Sequence, residues 1–299
     1  MANDNNPYPV IVTIANDGYV LALAVMLKSV ETNLNAKAKI KVYILIKDLN
    51  KEAINQINNS IKSNILELNW VIVKDDGIKE LKVDGHISID TYYRLLIEEQ
   101  FPKYSKVIFL DADVIVKTSI TELWNLEVDH KHLLAVPLTS KHSGLVSGAR
   151  GLPSYKLIGI PSETRTFNAG VMVLNLNLWR RDSISQLVIK YLKEFNEHVL
   201  WWDQDGLNAI LYNMWEPIHV KWNAVTSHLI SQEDSLLTKE EFEDVCSTPF
   251  IIHYAGPSKP WHSNYEGPFE NIFIEYLNKL SSTYFNNIYD NLKSINLNQ

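Results

Sequence analysis

The sequence predicts an α/β protein, a mostly parallel sheet with helices on both faces. Three observations carry that expectation. Short β-branched runs alternate with segments of helical spacing, at intervals that suit strand–helix–strand units. The first of these runs ends on a turn signal, as a buried strand does. The 299 residues are 46% hydrophobic and 21% charged, an ordinary globular balance that sets aside disordered, collagenous and disulfide-scaffold classes.

The elements follow in order. Residues 9–15 (PVIVTIA) read as the first strand and stop at Asn16-Asp17-Gly18. Residues 21–30 carry apolar side chains at helical spacing. Strands are expected at 40–46 (IKVYILI) and 66–73, with a polar-faced helix at 51–61 between them. Residues 91–99 (TYYRLLIEE) are expected to be helical, because Tyr92, Leu95, Leu96 and Glu99 follow three–four spacing. The run at 106–110 (KVIFL) is a fourth strand and leads straight into Asp111-Ala112-Asp113.

In the second half, strands at 133–137 and 169–174 flank a Gly/Ser/Pro-rich stretch from Ser140 to Thr166. A connection that long suits an acceptor loop or lid better than a plain link. Helices are expected at 184–195 and 205–212, and a late strand at 249–254 (PFIIHY). From Pro268 the chain reads as an amphipathic helical tail with Phe269, Phe273, Tyr276, Leu277 and Leu280 on one stripe. With no internal repeat and no obvious linker, the expected division is a principal domain at 1–262 and a tail at 263–299. The tail is expected to pack on that domain or to contact a partner.

Charge and cysteine content narrow the function classes. Lys and Arg number 28 against 35 Asp and Glu, a net charge of −7, which disfavours nucleic acid as a partner and leaves any phosphate site to a local cluster or a metal. A single Cys246 excludes an internal disulfide and a C-x-x-C zinc signature. Residues 1–8 are polar and Asn-rich, so no targeting signal is expected, and no apolar run approaches the ~18 residues of a membrane span. The expected location is cytoplasmic, with at most peripheral contact at the inner face of the membrane.

The strongest single feature is the Asp-x-Asp that follows an apolar strand. Asp111 and Asp113 leave the carboxyl end of that strand, where open α/β sheets bind ligands. Side chains two apart on extended backbone point the same way, so both carboxylates can face one divalent ion, Mg²⁺ or Mn²⁺. Both are expected at a solvent-facing strand end. The same segment also resembles the D-x-D-x-[TV] of haloacid-dehalogenase-type phosphatases, with Asp111 as nucleophile, although three candidate strands precede it here. A plain solvated turn would look the same. The late segment 253–261 (HYAGPSKPW) weighs against both alternatives. His253 adds a third ligand that favours Mn²⁺, Gly256 permits close approach to a phosphate, and Lys259 adds a cation for the same group.

Other candidates have plainer explanations. Trp201-Trp202 is a possible sugar-stacking platform but reads better as buried packing. His130, His132 and His142 read as surface residues, Asp75-Asp76 before Gly77 as a loop, and Cys246 as core filler, since nothing nearby activates it.

Four segments in order resemble glycosyltransferase family 8, the lipopolysaccharide galactosyltransferases and their glycogenin-like relatives. They are 12–19 (VTIANDGY), 109–116 (FLDADVIV), 167–180 (FNAGVMVLNLNLWR) followed by 203–208 (DQDGLN), and 253–261; the likeness spans about residues 9–262. The resemblance implies an A-type glycosyltransferase fold, a Rossmann-like mixed sheet flanked by helices, with a UDP-sugar donor, Mn²⁺ (Mg²⁺ as the alternative) and retention at the anomeric carbon. By the same resemblance Ile14, Ala15, Asn16 and Tyr19 lie at the uridine, with Tyr19 placed to stack on the base. Arg94 contacts the donor, Asp111, Asp113 and His253 hold the metal, and Ala112 lies between them on the donor side. Asn168 and Ala169 lie beside the sugar, Asp203 and Gln204 at the reacting face, and Gly256 and Lys259 at the diphosphate. Gly18 departs from the bulkier polar residue some members carry. The implied activity is transfer of galactose or glucose from the UDP-sugar to a hydroxyl of a glycan, lipopolysaccharide-like or glycoprotein acceptor. Since Gln204 is no carboxylate, a front-face reaction is expected over double displacement. A phosphatase and a non-catalytic sugar-nucleotide-binding protein are the rival classes. Oligomeric state is not readable from the chain.

Overall fold

The computed structural model describes residues 8–35, 38–62, 64–74, 77–83 and 88–295. The expected Asp75-Asp76 loop and the Asn-rich stretch at 1–7 lie outside the described residues. The first half runs β1 (Val10–Ile14), α1 (Val20–Asn33), β2 (Ile40–Ile46), α2 (Lys51–Ser60), β3 (Leu66–Ile72), a 3₁₀ segment (Ile89–Leu96) continued by α3 (Ile97–Gln100), β4 (Lys106–Leu110), β5 (Val114–Val116) and α4 (Ile120–Trp124). The second half runs β6 (Leu133–Pro137), β7 (Phe167–Asn175), α5 (Leu176–Asp182), α6 (Ile184–Glu194), α7 (Trp202–Leu211), β8 (Trp215–Pro217), β9 (Ala224–Val225), α8 (Lys239–Ser247), β10 (Ile251–His253), α9 (Glu270–Lys279) and α10 (Thr283–Ser294).

Among the described residues the strands form a seven-stranded sheet, ordered β3-β2-β1-β4-β7-β6-β8, and a three-stranded sheet, β5-β10-β9. β3, β2, β1 and β4 are parallel, as the alternation predicts. The sheet departs from that pattern at β7, which is antiparallel to both β4 and β6. Every residue of β7 is buried, so its apolar run carries no directional signal.

Helix α1 is buried nearly all round, from Val20 to Glu31, because it lies between the sheet and the tail. Phe273, Tyr276, Leu277, Leu280 and Phe285 join its core cluster, and Asn33 Nδ2 donates to the Tyr276 hydroxyl at 2.6 Å. The Ser140–Thr166 stretch has no helix and only isolated bridges.

Two expectations need correction. Residues 89–96 wind as a 3₁₀ segment rather than an α-helix. The tighter winding eclipses positions three apart, so Thr91 and Arg94 face the same way, and residues 92–96 are all buried. His132 is buried rather than at the surface, its Nε2 lying 2.7 Å from Asp182 Oδ2.

Candidate active site

The site forms where the two sheets meet. Asp111 follows β4, and its N–H donates to Gly170 O in β7 at 2.8 Å. Asp113 precedes β5, whose antiparallel register with β10 sets His253 opposite Val114. Residues far apart in sequence thus meet: His253 Nε2 lies 3.4 Å from Asp113 Oδ1 and 3.7 Å from Asp111 Oδ2. One ligand atom from each of the three falls within 4.8 Å of the others. Close approach is possible because β7 carries Gly170 at this point. A Cβ there would sit 2.2 Å from His253 Cε1 and 2.6 Å from Asp111 Oδ2.

The donor set fits a divalent cation. Two carboxylates and one imidazole suit Mn²⁺, with Mg²⁺ a poorer match to the nitrogen. His253 Nδ1 lies 2.9 Å from Asn223 Oδ1, an oxygen that can only accept. Nδ1 therefore carries a proton, and Nε2 is the ring atom that faces the two carboxylates, the position from which it can join them as a ligand.

Charge is arranged in a chain around this cluster. Arg94, buried, places Nη2 2.8 Å from Asp111 Oδ1 and Nε 2.9 Å from Asp203 Oδ2, donates to Ala169 O at 2.6 Å, and lies 4.5 Å from the centre of the Phe109 ring. Burial alone would lower its pKa, but Asp111 and Asp203 hold it above the usual value. The Asp203 carboxyl is raised by burial, against Arg94 and a 2.8 Å hydrogen bond from Thr91 Oγ1. Lys259 is also buried, with Nζ 2.5 Å from Asp113 Oδ2, 2.8 Å from Tyr254 O and 5.6 Å from the centre of the Tyr19 ring. Burial favours a neutral Asp113, yet Lys259 and His253 hold its carboxyl well below the usual range.

Asp113 is therefore not at a solvent-facing end: its side chain is 9% exposed against 25% for Asp111. The buried side chains of Lys259 and His253 lie against Asp113.

On the other flank, Gln204 Oε1 accepts from Asn168 Nδ2 and from the Ala169 N–H, both at 3.1 Å. Gln204 also lines a small cleft with Ser143, Arg150, Thr166, Trp201 and Asn208. Trp201 lines this cleft, half-buried, and its Nε1 donates to Arg150 O at 2.9 Å; Trp202, also half-buried, packs against the core.

Asp111, Asp113, His253, Arg94, Asp203, Lys259, Asn168, Ala169 and Gln204 thus form one connected group, with Tyr19 against Lys259 and the buried Ala112 between the two aspartates. Asn16 turns elsewhere, donating to Asp90 Oδ2 at 2.9 Å, while Ile14 ends β1 and Ala15 follows it. Gly256 stands at φ 97° with open space around its Cα. Sequence reasoning missed Thr91, Gly170 and Asn223. A glycine inside an apolar strand is a readable sign of close approach; Asn223, beside Trp222, gives no such sign.

The family model for glycosyl transferase family 8 matches residues 10–265. The chain belongs to this family. General stress protein A of Bacillus subtilis (strain 168) is 28% identical over 287 residues, 93% of this family 8 chain and 95% of the relative. The lipopolysaccharide 1,3-galactosyltransferase of Salmonella typhimurium is 30% identical over 207 residues, 68% of this chain and 58% of that protein, so the chain spans little more than half of that relative's length. The crystal structure of galactosyltransferase LgtC in complex with donor and acceptor sugar analogs matches with a TM-score of 0.78 at 26% identity, covering 92% of this chain and 97% of that one. The fold of this family 8 glycosyltransferase is accordingly the A-type fold, and the phosphatase reading of Asp111 falls away.

Proposed function

We propose that the chain is a metal-dependent, retaining hexosyltransferase that moves galactose or glucose from a UDP-sugar to a hydroxyl of a glycan or glycoconjugate. The observation that carries the reading is the Asp111–Asp113–His253 cluster joined through Arg94 to Asp203. These three residues would hold the ion, Mn²⁺ before Mg²⁺, which when bound supplies a Lewis acid for the diphosphate oxygens. Arg94 fixes Asp111 and Asp203 relative to each other, so the sugar-facing and phosphate-facing halves keep one geometry. Lys259 and Gly256 stand on the diphosphate side, and Tyr19 beside them for the base. Asp203 accepts from sugar hydroxyls and lies near the ring as positive charge develops on it. The side chain at the reacting face is the amide of Gln204, so no inverting general base is available there. The departing phosphate oxygen takes the acceptor proton on the same face.

The catalytic unit in this reading is 1–262 and the tail is 263–299; the described tail helices α9 and α10 pack on α1. A cytoplasmic location with at most peripheral membrane contact belongs to the same proposal; no described helix is long and apolar enough to cross a membrane. A panel of UDP-sugars assayed for UDP release with and without Mn²⁺ tests it. Metal-dependent release with UDP-galactose or UDP-glucose, and an α-linked product by proton NMR, are expected. A β-linked product would overturn retention. UDP binding with neither transfer nor hydrolysis would mark a sugar-nucleotide-binding protein instead.

A further inference from the structure

Two backbone N–H groups of β7 set the sense of the amide hydrogen bonds that link His253 to Gln204. The Gly170 N–H donates to Asn168 Oδ1 at 3.0 Å, which fixes that amide's orientation. Asn223 must then present Nδ2 to the same oxygen, at 2.8 Å, and its Oδ1 to His253 Nδ1, at 2.9 Å. In the other direction, Asn168 Nδ2 and the Ala169 N–H both donate to Gln204 Oε1. Flipping Asn168 or Gln204 would oppose a backbone donor to an amide nitrogen, and flipping Asn223 would set its oxygen against Asn168 Oδ1. Asn223 is 2% exposed and Asn168 9%, so water does not readily replace a lost partner.

We propose that Asn223 is a positioning residue with two outputs. It keeps His253 in the Nδ1–H tautomer, with Nε2 free as a ligand. Through Asn168 it also turns Gln204 so that its carboxamide nitrogen, and not its oxygen, is the group offered to the donor sugar. Gln204 then acts as a hydrogen-bond donor to a lone pair on a sugar, acceptor or phosphate oxygen, and its tied oxygen is not the group that meets the anomeric carbon. The second output rests on the transferase reading above; the first does not.

The experiment pairs ¹⁵N NMR of the histidine rings in the metal-free protein, recorded up to alkaline pH, with Mn²⁺ calorimetry and steady-state kinetics. In the unaltered chain the neutral His253 ring is expected to carry its proton on Nδ1. Asn223→Ala should mix the tautomers and weaken Mn²⁺ binding about 10- to 100-fold, the usual cost of losing a partner behind a metal ligand. Asn223→Asp keeps an acceptor for His253 but loses the donor to Asn168. It should retain the Nδ1–H tautomer and Mn²⁺ binding while kcat falls with UDP affinity unchanged. An Nε2–H tautomer in the unaltered chain overturns the proposal, and needs no variant to be seen. Unchanged tautomer and Mn²⁺ affinity in a folded Asn223→Ala would do the same, and an unchanged kcat in Asn223→Asp would overturn the second output. Absence of transfer with every UDP-sugar, with the tautomer as expected, would count against the transferase reading and the Gln204 output and leave the His253 assignment standing.

Discussion

Two bridges join the Asp111–Asp113–His253 cluster to Asp203 and Gln204, and they are built from opposite materials. On one side Arg94 alone spans Asp111 and Asp203 with a delocalised charge. On the other, Asn223 and Asn168 connect His253 to Gln204 through uncharged amides. A guanidinium only donates, so the first bridge fixes distance and balances charge without setting which atom of its partners faces the substrate. An amide donates at one end and accepts at the other, so the second transmits direction. Two cationic side chains, Arg94 and Lys259, stand among the three carboxyl groups of Asp111, Asp113 and Asp203.

Breaking the charged bridge should have the largest effect. Arg94→Met leaves two carboxylates without their cation in a buried site, and removing one partner of a buried ion pair costs about 3–5 kcal/mol. Urea denaturation should show a loss of that size, and UDP release should fall below detection. Arg94→Lys should rescue little of either, because a point charge cannot reach both carboxylates at once. Wild-type stability in Arg94→Met would mean that Asp203 is held by Thr91 instead.

Next comes the point where both bridges are anchored. Gly170 allows His253 and Asp111 to approach, and its N–H sets the amide relay. Gly170→Ala places a methyl on both ligands, so Mn²⁺ affinity should fall by more than about 10-fold, the lower range for disturbing the shell behind a metal ligand. Calorimetry with Mn²⁺ checks this, and a change of less than twofold would show that the strand shifts to accommodate the methyl.

The two bridges were not equally legible in the sequence. Arg94 and the aspartates are chemically conspicuous, and strands β1, β2 and β4 announce themselves by apolar runs of the right length. The 3₁₀ winding that brings Thr91 beside Arg94 was hidden, because three–four spacing over eight residues suits an α-helix equally well. The direction of β7 was hidden too, since a strand buried on both faces has no alternation to read. In the small sheet β5-β10-β9, β10 lies inside the expected strand at 249–254, but β5 and β9, of three and two residues, are below what periodicity can detect. Asn223 depends on that sheet entirely: it precedes β9, which pairs with β10 beside His253. A single amide acquires its role from register, and register is a tertiary fact.

Lys259 extends the charged side, and its removal should be smaller in effect than that of Arg94. Lys259→Ala should weaken UDP binding by about 1.5–3 kcal/mol, the scale of a charge-assisted hydrogen bond. It should also lower stability, because Asp113 loses the cation that keeps it ionised. Calorimetry with UDP separates the two effects, and unchanged affinity would confine Lys259 to holding Asp113.

The smallest expected effect comes from Asp205, two positions beyond Asp203 on the same helix. Asp203 is met by a guanidinium, whereas Asp205 Oδ2 is held by the N–H groups of Leu200 and Trp201, at 2.7 and 2.9 Å. Burial pushes its carboxyl up to about 7, more than those two donors lower it. An unfolded chain releases that proton near pH 4. Between about pH 4 and about 7 the folded state therefore holds a proton that the unfolded state has lost, and stability declines as pH rises through that window. Asp205→Asn keeps an oxygen for both N–H groups and has no proton to lose. Its melting temperature should match the unaltered chain near the acid end of the window and exceed it at about pH 8. Parallel melting curves across the window would show that Asp205 is ionised in the fold throughout, and that two backbone donors can do for one carboxylate what Arg94 does for the other.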